Sequence, residues 1–72
     1  MAALSERLIQ LRTEKNILQK DVAIILGLSV AGYQRYEYGT RQPISDIIIK
    51  LAEYFQVSTD YLLGQSDNTK MN

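Results

Sequence analysis

Apolar residues recur at helical spacing in two long segments of the chain. Near the start, Leu4, Leu8 and Leu11 are separated by polar and charged residues, which predicts an amphipathic helix from about Leu4 to Lys15. Further along, the segment SDIIIKLAEYF predicts a second amphipathic helix, with Ser45 as its expected N-cap. Its apolar stripe consists of Ile47, Ile48, Leu51, Ala52 and Phe55. Both segments therefore predict helices that bury one face.

A shorter helix is predicted in QKDVAIILG, between these two segments. It begins near Gln19, and Val22, Ile25 and Leu26 are expected to form its inner face. Gly27 is expected to end it, because glycine accepts the backbone conformation of a sharp turn.

Two more short helices are each expected to follow a serine and to end at a glycine. Ser29 is the expected N-cap of a helix that ends near Tyr38, where Gly39 can adopt a positive φ. Ser58 is expected to cap the short helix TDYLL, which closes at Gly64. With no alternating strand pattern, the sequence predicts an all-α fold of five short helices.

Composition limits what such a fold can do. The chain has 72 residues with no cysteine and no histidine, which excludes disulfides and the usual zinc ligands. There is no paired-carboxylate or histidine pattern for acid–base catalysis and no glycine-rich phosphate loop, so we expect no enzyme activity and no metal or cofactor. With no apolar run of membrane-spanning length and no signal-peptide pattern, we expect a cytoplasmic protein with no membrane partner.

Charge is unevenly distributed along the chain although the net charge is zero. The chain through Arg41 has six basic and four acidic residues, whereas the remainder has two basic and four acidic ones. A polyanion should therefore prefer the first part.

The predicted second and third helices are separated by about three residues, the arrangement of a helix-turn-helix. At this point the sequence resembles the Xre/Cro-type helix-turn-helix regulators with the lambda-repressor-like fold. The resemblance is carried by LRTEKNILQKDVAIILGLS, YQRYEYGTRQP and IIIKLAEYFQVSTDYLLG. It implies a DNA-binding domain over residues 4–64, with the helix-turn-helix at about 19–38. Residues 65–72 are expected to form a polar, flexible tail.

The resemblance also implies roles for particular residues. The base-facing positions of the recognition helix are matched by Val30, Ala31, Gln34 and Arg35. Contacts to the DNA backbone are implied for Gln19, Lys20, Ser29, Tyr38, Thr40 and Arg41. A structural ion pair is implied for Arg12 and Glu37. The end of the domain where relatives often dimerise is matched by Thr59, Tyr61 and Leu62.

Side-chain chemistry fits these roles at two of the base-facing positions and leaves the others open. Arg35 can pair with guanine and Gln34 with adenine in the major groove. Val30 and Ala31 can make only apolar contacts, most simply with thymine methyl groups, and Gly32 weakens the helix. The same apolar stretch, with the zero net charge, favours an alternative: a module of antitoxin or antirepressor-partner type that binds another protein.

The interpretation favoured by the sequence is a sequence-specific regulator that binds a double-stranded DNA operator. The resemblance implies a bacterial or phage-encoded, nucleoid-associated repressor that binds a palindrome as a homodimer. No small-molecule ligand is evident from the residues.

Overall fold

The computed structural model describes residues 3–70, and the chain folds there as five helices with no strand. In chain order they are α1 (Leu4–Glu14), α2 (Gln19–Leu26), α3 (Val30–Tyr38), α4 (Ser45–Phe55) and α5 (Thr59–Leu62). The five-helix, all-α prediction is confirmed. Within the described part of the chain, no helix has the length and apolar character needed to cross a membrane.

One hydrophobic core joins all five helices. Leu8 of α1, Val22 of α2, Tyr33 of α3, Leu51 of α4 and Leu62 of α5 are all fully buried. The helix-turn-helix rests on this core, since α3 packs against both α1 and α2. As a consequence, one side of α3 is fixed by packing while the other is left for solvent or a partner.

Local chemistry sets the ends of α3. The Ser29 hydroxyl accepts a hydrogen bond from the Gly32 amide at 3.1 Å, which satisfies one unpaired donor of the first turn. Gly39 ends the helix with a φ of 78°, a conformation that costs L-residues energy. Gly27 does the same for α2, at a φ of 70°. Ser29 and Gly39 therefore fix where α3 begins and ends, and Gly27 fixes the end of α2.

The structure differs from the sequence-based expectation at the inner face of α2. Ile25 is 45% exposed, and the small Ala23 is buried in its place beside Val22 and Leu26. Because Ala23, Val22 and Leu26 lie on one side of a 3.6-residue helix, Ile25 falls at the edge of the buried stripe. The prediction that Ile25 faces inward was wrong.

One further expectation needs correction. The N-cap of α4 is Ile44, with no side-chain hydrogen bond, and Ser45 is the first residue inside the helix. In the part of the tail that the structure describes, two residues contact the rest of the domain. Asp67 pairs with Arg7 at 2.8 Å, and the Thr69 carbonyl accepts a hydrogen bond from the Ser58 amide at 3.0 Å. Residues 71–72 of the predicted tail lie outside the described residues.

Candidate nucleic-acid interface

The outer face of α3 carries the four residues predicted to face bases. In a helix with 3.6 residues per turn, Val30, Ala31, Gln34, Arg35 and Tyr38 lie on one side. Gln34 is half-buried and the other four are exposed. The opposite side is buried through Tyr33, Tyr36 and Glu37. Helix α3 thus presents a surface with apolar residues at its start, an amide and a guanidinium in the middle and a phenol at its end.

Tyr33 and Tyr36 belong to the core and are not available for base stacking. Their rings meet edge to face, with centroids 6.4 Å apart, and they are 0% and 6% exposed. The Tyr33 hydroxyl is buried with no hydrogen bond. Burial, and after it the neighbouring Glu37 carboxylate, raises the pKa of Tyr33. This tyrosine therefore stays neutral and anchors the helix.

An ion pair joins α1 to the end of α3. Arg12 Nε and Nη2 donate to the two carboxylate oxygens of Glu37 at 2.7 and 3.1 Å, and Arg12 Nη1 donates to the Ile17 carbonyl at 3.1 Å. The Glu37 side chain is only 2% exposed and that of Arg12 21%. Such a two-pronged contact fixes orientation as well as charge.

The balance of burial and hydrogen bonding sets the charge state of Glu37. Burial alone would raise the pKa of its carboxyl group, but hydrogen bonds from Arg12 and Gln19 oppose this and hold the pKa below its ordinary value. Glu37 is therefore ionised at neutral pH, and its charge is matched by Arg12.

Gln19 extends this network to the outer face of α3. Its Nε2 donates to Glu37 Oε1 at 3.0 Å, and its Oε1 accepts from Gln34 Nε2 at 2.9 Å. A continuous hydrogen-bonded line thus runs from Arg12 through Glu37 and Gln19 to Gln34. Because both atoms of the Gln19 amide are used within the chain, its orientation is fixed, and Gln34 is held in place relative to α2.

Residues after α3 converge on its last turn. The Arg35 carbonyl accepts hydrogen bonds from the Thr40 amide at 3.0 Å, the Thr40 hydroxyl at 3.3 Å and the Arg41 amide at 3.3 Å. Tyr38 is 67% exposed, and the side chains of Arg35 and Arg41 are exposed as well. The structure therefore brings two cations and a phenol to the end of α3, with the loop backbone fastened to the helix.

The remaining backbone-contact candidates flank this surface. Lys20 is exposed in the first turn of α2, and Ser29 is exposed at the start of α3. The Ser29 oxygen accepts from Gly32, which leaves its hydroxyl hydrogen free to donate. Neither Lys20 nor Arg35 has an ion-pair partner among residues 3–70. The face therefore offers positive charge that nothing in the described chain neutralises.

The structure separates the three dimer candidates. Leu62 and Tyr61 are 0% and 5% exposed and lie in the core. Tyr61 also accepts a hydrogen bond from Gln10 at 3.2 Å and supports the Arg7 guanidinium, 3.9 Å from its ring centroid. Their predicted role in a dimer contact is therefore corrected, because a partner cannot reach them in this fold. Only Thr59 of the three is exposed.

Two features of the site were not predicted from the sequence. The hydrogen bond between Gln19 and Gln34 could not be predicted, because the two residues are fifteen positions apart in the sequence. The second feature is a local reason for glycine at position 32, where the sequence indicated only a weaker helix. A Cβ there would lie 3.2 Å from Ser29 Oγ, so glycine leaves room for the N-cap.

Comparison with known proteins places this geometry among similar ones. The family model described as helix-turn-helix matches residues 8–62. The chain is 36% identical over 70 residues to the HTH-type transcriptional regulator ImmR of Bacillus subtilis, covering 97% of this chain and 55% of ImmR. It is 32% identical over 62 residues to the cryptic phage CTXphi transcriptional repressor RstR of Vibrio cholerae, covering 86% of this chain and 55% of RstR.

A solved structure shares the fold. The P22 c2 repressor, crystallised with a synthetic operator, superposes with a TM-score of 0.83 at 24% identity, covering 92% of this chain and all of that one. By contrast, this chain spans about half the length of the two curated relatives.

Proposed function

Because this chain belongs to the helix-turn-helix family, we propose that it is a sequence-specific double-stranded DNA-binding transcriptional regulator. Its relatives ImmR and RstR are named as a transcriptional regulator and a transcriptional repressor, the latter of a cryptic phage. These names support a repressor of a phage or other mobile element, acting on DNA in a bacterial cytoplasm.

The observation that carries the proposal is the outer face of α3. Arg35 stands there exposed and without an ion-pair partner in residues 3–70, while Tyr33 and Glu37 hold the opposite side in the core. An exposed guanidinium on a rigid helix can donate two parallel hydrogen bonds to guanine O6 and N7, worth about 1 to 3 kcal/mol of discrimination. We therefore propose Arg35 as the main base-reading residue.

Gln34 is proposed as the second polar base-reading residue. Gln19 already binds its amide nitrogen, which leaves the Gln34 carbonyl and the second N–H for an adenine. This arrangement reduces the side-chain freedom that would otherwise be lost on binding. Val30 and Ala31 are assigned to apolar contacts with thymine methyl groups at the start of the helix.

Contacts to phosphate are proposed for residues around this face. Lys20 and Arg41 supply charge, whereas Ser29, Tyr38 and Thr40 supply hydroxyl groups. The Gln19 amide lies at the start of α2 and can add a weaker contact through its remaining N–H. These residues would position the domain without reading sequence, and their contribution should fall steeply as salt rises.

We further propose that the regulator binds a palindromic operator as a homodimer. Two copies related by a two-fold axis would insert two α3 helices into successive major grooves, so half-sites should recur about one helical turn apart. Thr59 is the one exposed residue among the sequence-predicted dimer candidates.

Selection from a random duplex pool tests the proposal, with retained sequences compared at a low and a high salt concentration. A regulator that reads DNA enriches one motif at both salts, with guanine at the positions facing Arg35. A protein-binding module of the same fold would instead bind weakly at low salt only and enrich nothing. A Lys15→Ala control, changed at an exposed position after α1 and outside the α3 face, should enrich the same motif as the wild type.

A further inference from the structure

The outward face of α4 is available for binding. Ile49 is 48% exposed, and Lys50 and Glu53 are exposed beside it. We call these three residues the α4 face. A groove runs along each side of it, one towards α5 and one towards α2. The first is lined by Ala52, Val57, Ser58, Thr59 and Asp60, and the second by Ile25 and Tyr54.

The charges on this face have no ion-pair partner in the described part of the chain. Lys50 and Glu53 are three residues apart on one helix, yet they form no ion pair with each other or with any other residue of the described range 3–70. One cation and one anion of this kind suit a partner that offers the same two charges in reverse order. A second copy of this chain, turned by a two-fold axis, offers that order.

We propose that the α4 face is the contact between two copies of this chain. In an antiparallel pairing of two α4 helices, a two-fold axis between residues 51 and 52 sets Lys50 of each copy level with Glu53 of the other. Symmetry then forms the pair twice. The pairing also brings the two Ile49 side chains to the same side of the helix pair. They lie about 7.5 Å apart along the helix axis, at a rise of 1.5 Å per residue.

Charge also selects this register over its neighbour. Shifting the axis to lie between residues 49 and 50 would set Asp46 level with Glu53 of the partner, and two like-charged contacts would replace two favourable ones. Thr59 lines the groove beside Ile49, so it would lie at the margin of the contact. The inference thus specifies a surface for the homodimer of the proposed function, on which it rests.

Charge reversal tests this pairing without any DNA. Lys50→Glu alone should set two carboxylates against each other at both symmetric contacts, and Glu53→Lys alone should do the same with two ammonium groups. We expect each variant alone to raise the dimer dissociation constant roughly 10- to 100-fold, measured by sedimentation equilibrium. An equimolar mixture of the two variants allows a heterodimer in which one contact joins the two unchanged side chains and the other joins the two reversed ones. Both contacts are then of opposite charge, so the heterodimer should form within a few-fold of the wild-type constant.

Matched controls reverse exposed charges outside the α4 face. Lys15→Glu and Glu6→Lys on the α1 side of the domain make the same changes in net charge and should leave the dimer constant unchanged, alone or mixed. All variants should melt within a few degrees of the wild type, since the changed side chains are exposed.

Three results would overturn the inference: a wild type that stays monomeric, single variants that dimerise as tightly as the wild type, or a mixture no tighter than its components. Sequence enrichment by the wild type is a separate measurement. A chain that enriches an operator but fails the mixing test refutes only the α4 face, and a chain that passes the mixing test but enriches nothing refutes only the DNA-binding function.

Discussion

Replacing Glu37 by glutamine is expected to destabilise the domain strongly while keeping its shape. Glu37 accepts two hydrogen bonds from Arg12 and one from Gln19, and its side chain is 2% exposed. In Glu37→Gln, one oxygen becomes an NH₂ group that faces donors, and the Arg12 guanidinium loses its counter-charge. The substitution therefore breaks a buried network rather than only weakening it.

The magnitude follows from the burial of the two partners. Removing one member of a fully buried ion pair costs about 3 to 5 kcal/mol. The Arg12 side chain is 21% exposed, so water recovers part of this loss, and we expect about 2 to 3 kcal/mol. A 72-residue domain has roughly 4 to 11 kcal/mol of stability in all. At about 4 to 8 °C per kcal/mol, the melting temperature should fall by roughly 8 to 24 °C.

The loss should also depend on pH in one direction. Because the pKa of Glu37 is lower in the folded chain than in the unfolded chain, its contribution is complete above the ordinary glutamate pKa of about 4.3. That contribution is lost as pH falls through the lower, folded pKa. The difference in unfolding free energy between wild type and Glu37→Gln should therefore be largest at neutral pH and shrink in acid.

Urea unfolding of both proteins between about pH 7 and about pH 2.5 measures this difference directly. Gln19→Ala is the matched control, since it removes one hydrogen bond to Glu37 and one from the half-buried Gln34 but leaves the ion pair, and it should cost only about 1 to 2 kcal/mol. The reasoning is refuted if Glu37→Gln lies within about 0.5 kcal/mol of the wild type at neutral pH, the usual range of a neutral surface change. It is equally refuted if the deficit is as large in acid as at neutral pH.

Three further predictions concern α3 and its contacts. Ser29→Ala should cost about 1 kcal/mol in urea unfolding. Gly32→Ala should be more favourable in the Ser29→Ala background than in the wild type, because the Cβ of an alanine at position 32 would lie 3.2 Å from Ser29 Oγ. Additive effects of the two substitutions would argue against this crowding. Gly39→Ala should cost about 1 kcal/mol in thermal melting, because position 39 has a φ of 78°. The added Cβ would meet only ordinary contacts at 3.6 Å, so the cost comes from the backbone alone. An unchanged melting temperature would contradict this backbone strain. Uracil in place of a thymine facing Val30 should weaken binding of the selected duplex by about 0.8 kcal/mol, roughly fourfold. The Val30→Ala variant should lose less affinity on this replacement. Equal binding of the thymine and uracil duplexes by the wild type would exclude a methyl contact.

The fold and the family could be predicted because several local signals agreed. Ser29 and Gly39 mark the two ends of α3 in the sequence as they do in the structure. The apolar spacing of Leu4, Leu8 and Leu11 predicted α1. The family match over residues 8–62 confirms the helix-turn-helix resemblance. Helix caps and apolar spacing depend on residues only a few positions apart in the sequence.

The errors arose where distant residues decide burial. Ile25 fits an apolar stripe in the sequence, but the packing of α2 on its neighbours selects the smaller Ala23. Tyr61 and Leu62 looked suited to a dimer contact, yet the short helix α5 turns both into the core.

The site was predictable in its residue types and not in its connections. Helical spacing alone puts Arg35 on the face opposite Tyr33 and Tyr36, given that the tyrosines are buried. The line from Glu37 through Gln19 to Gln34 needs the crossing of α2 and α3, which no local pattern specifies.

The most direct test of the central claim is the affinity of Arg35→Ala for the selected duplex relative to a scrambled duplex. We expect this specificity ratio to fall roughly 5- to 150-fold, the equivalent of about 1 to 3 kcal/mol, with binding to the scrambled duplex weakened much less. Lys20→Ala is the control, and it should weaken both duplexes alike and reduce the salt dependence by about one ion. An Arg35→Ala variant that loses the same affinity on both duplexes would contradict the claim that α3 reads sequence through Arg35.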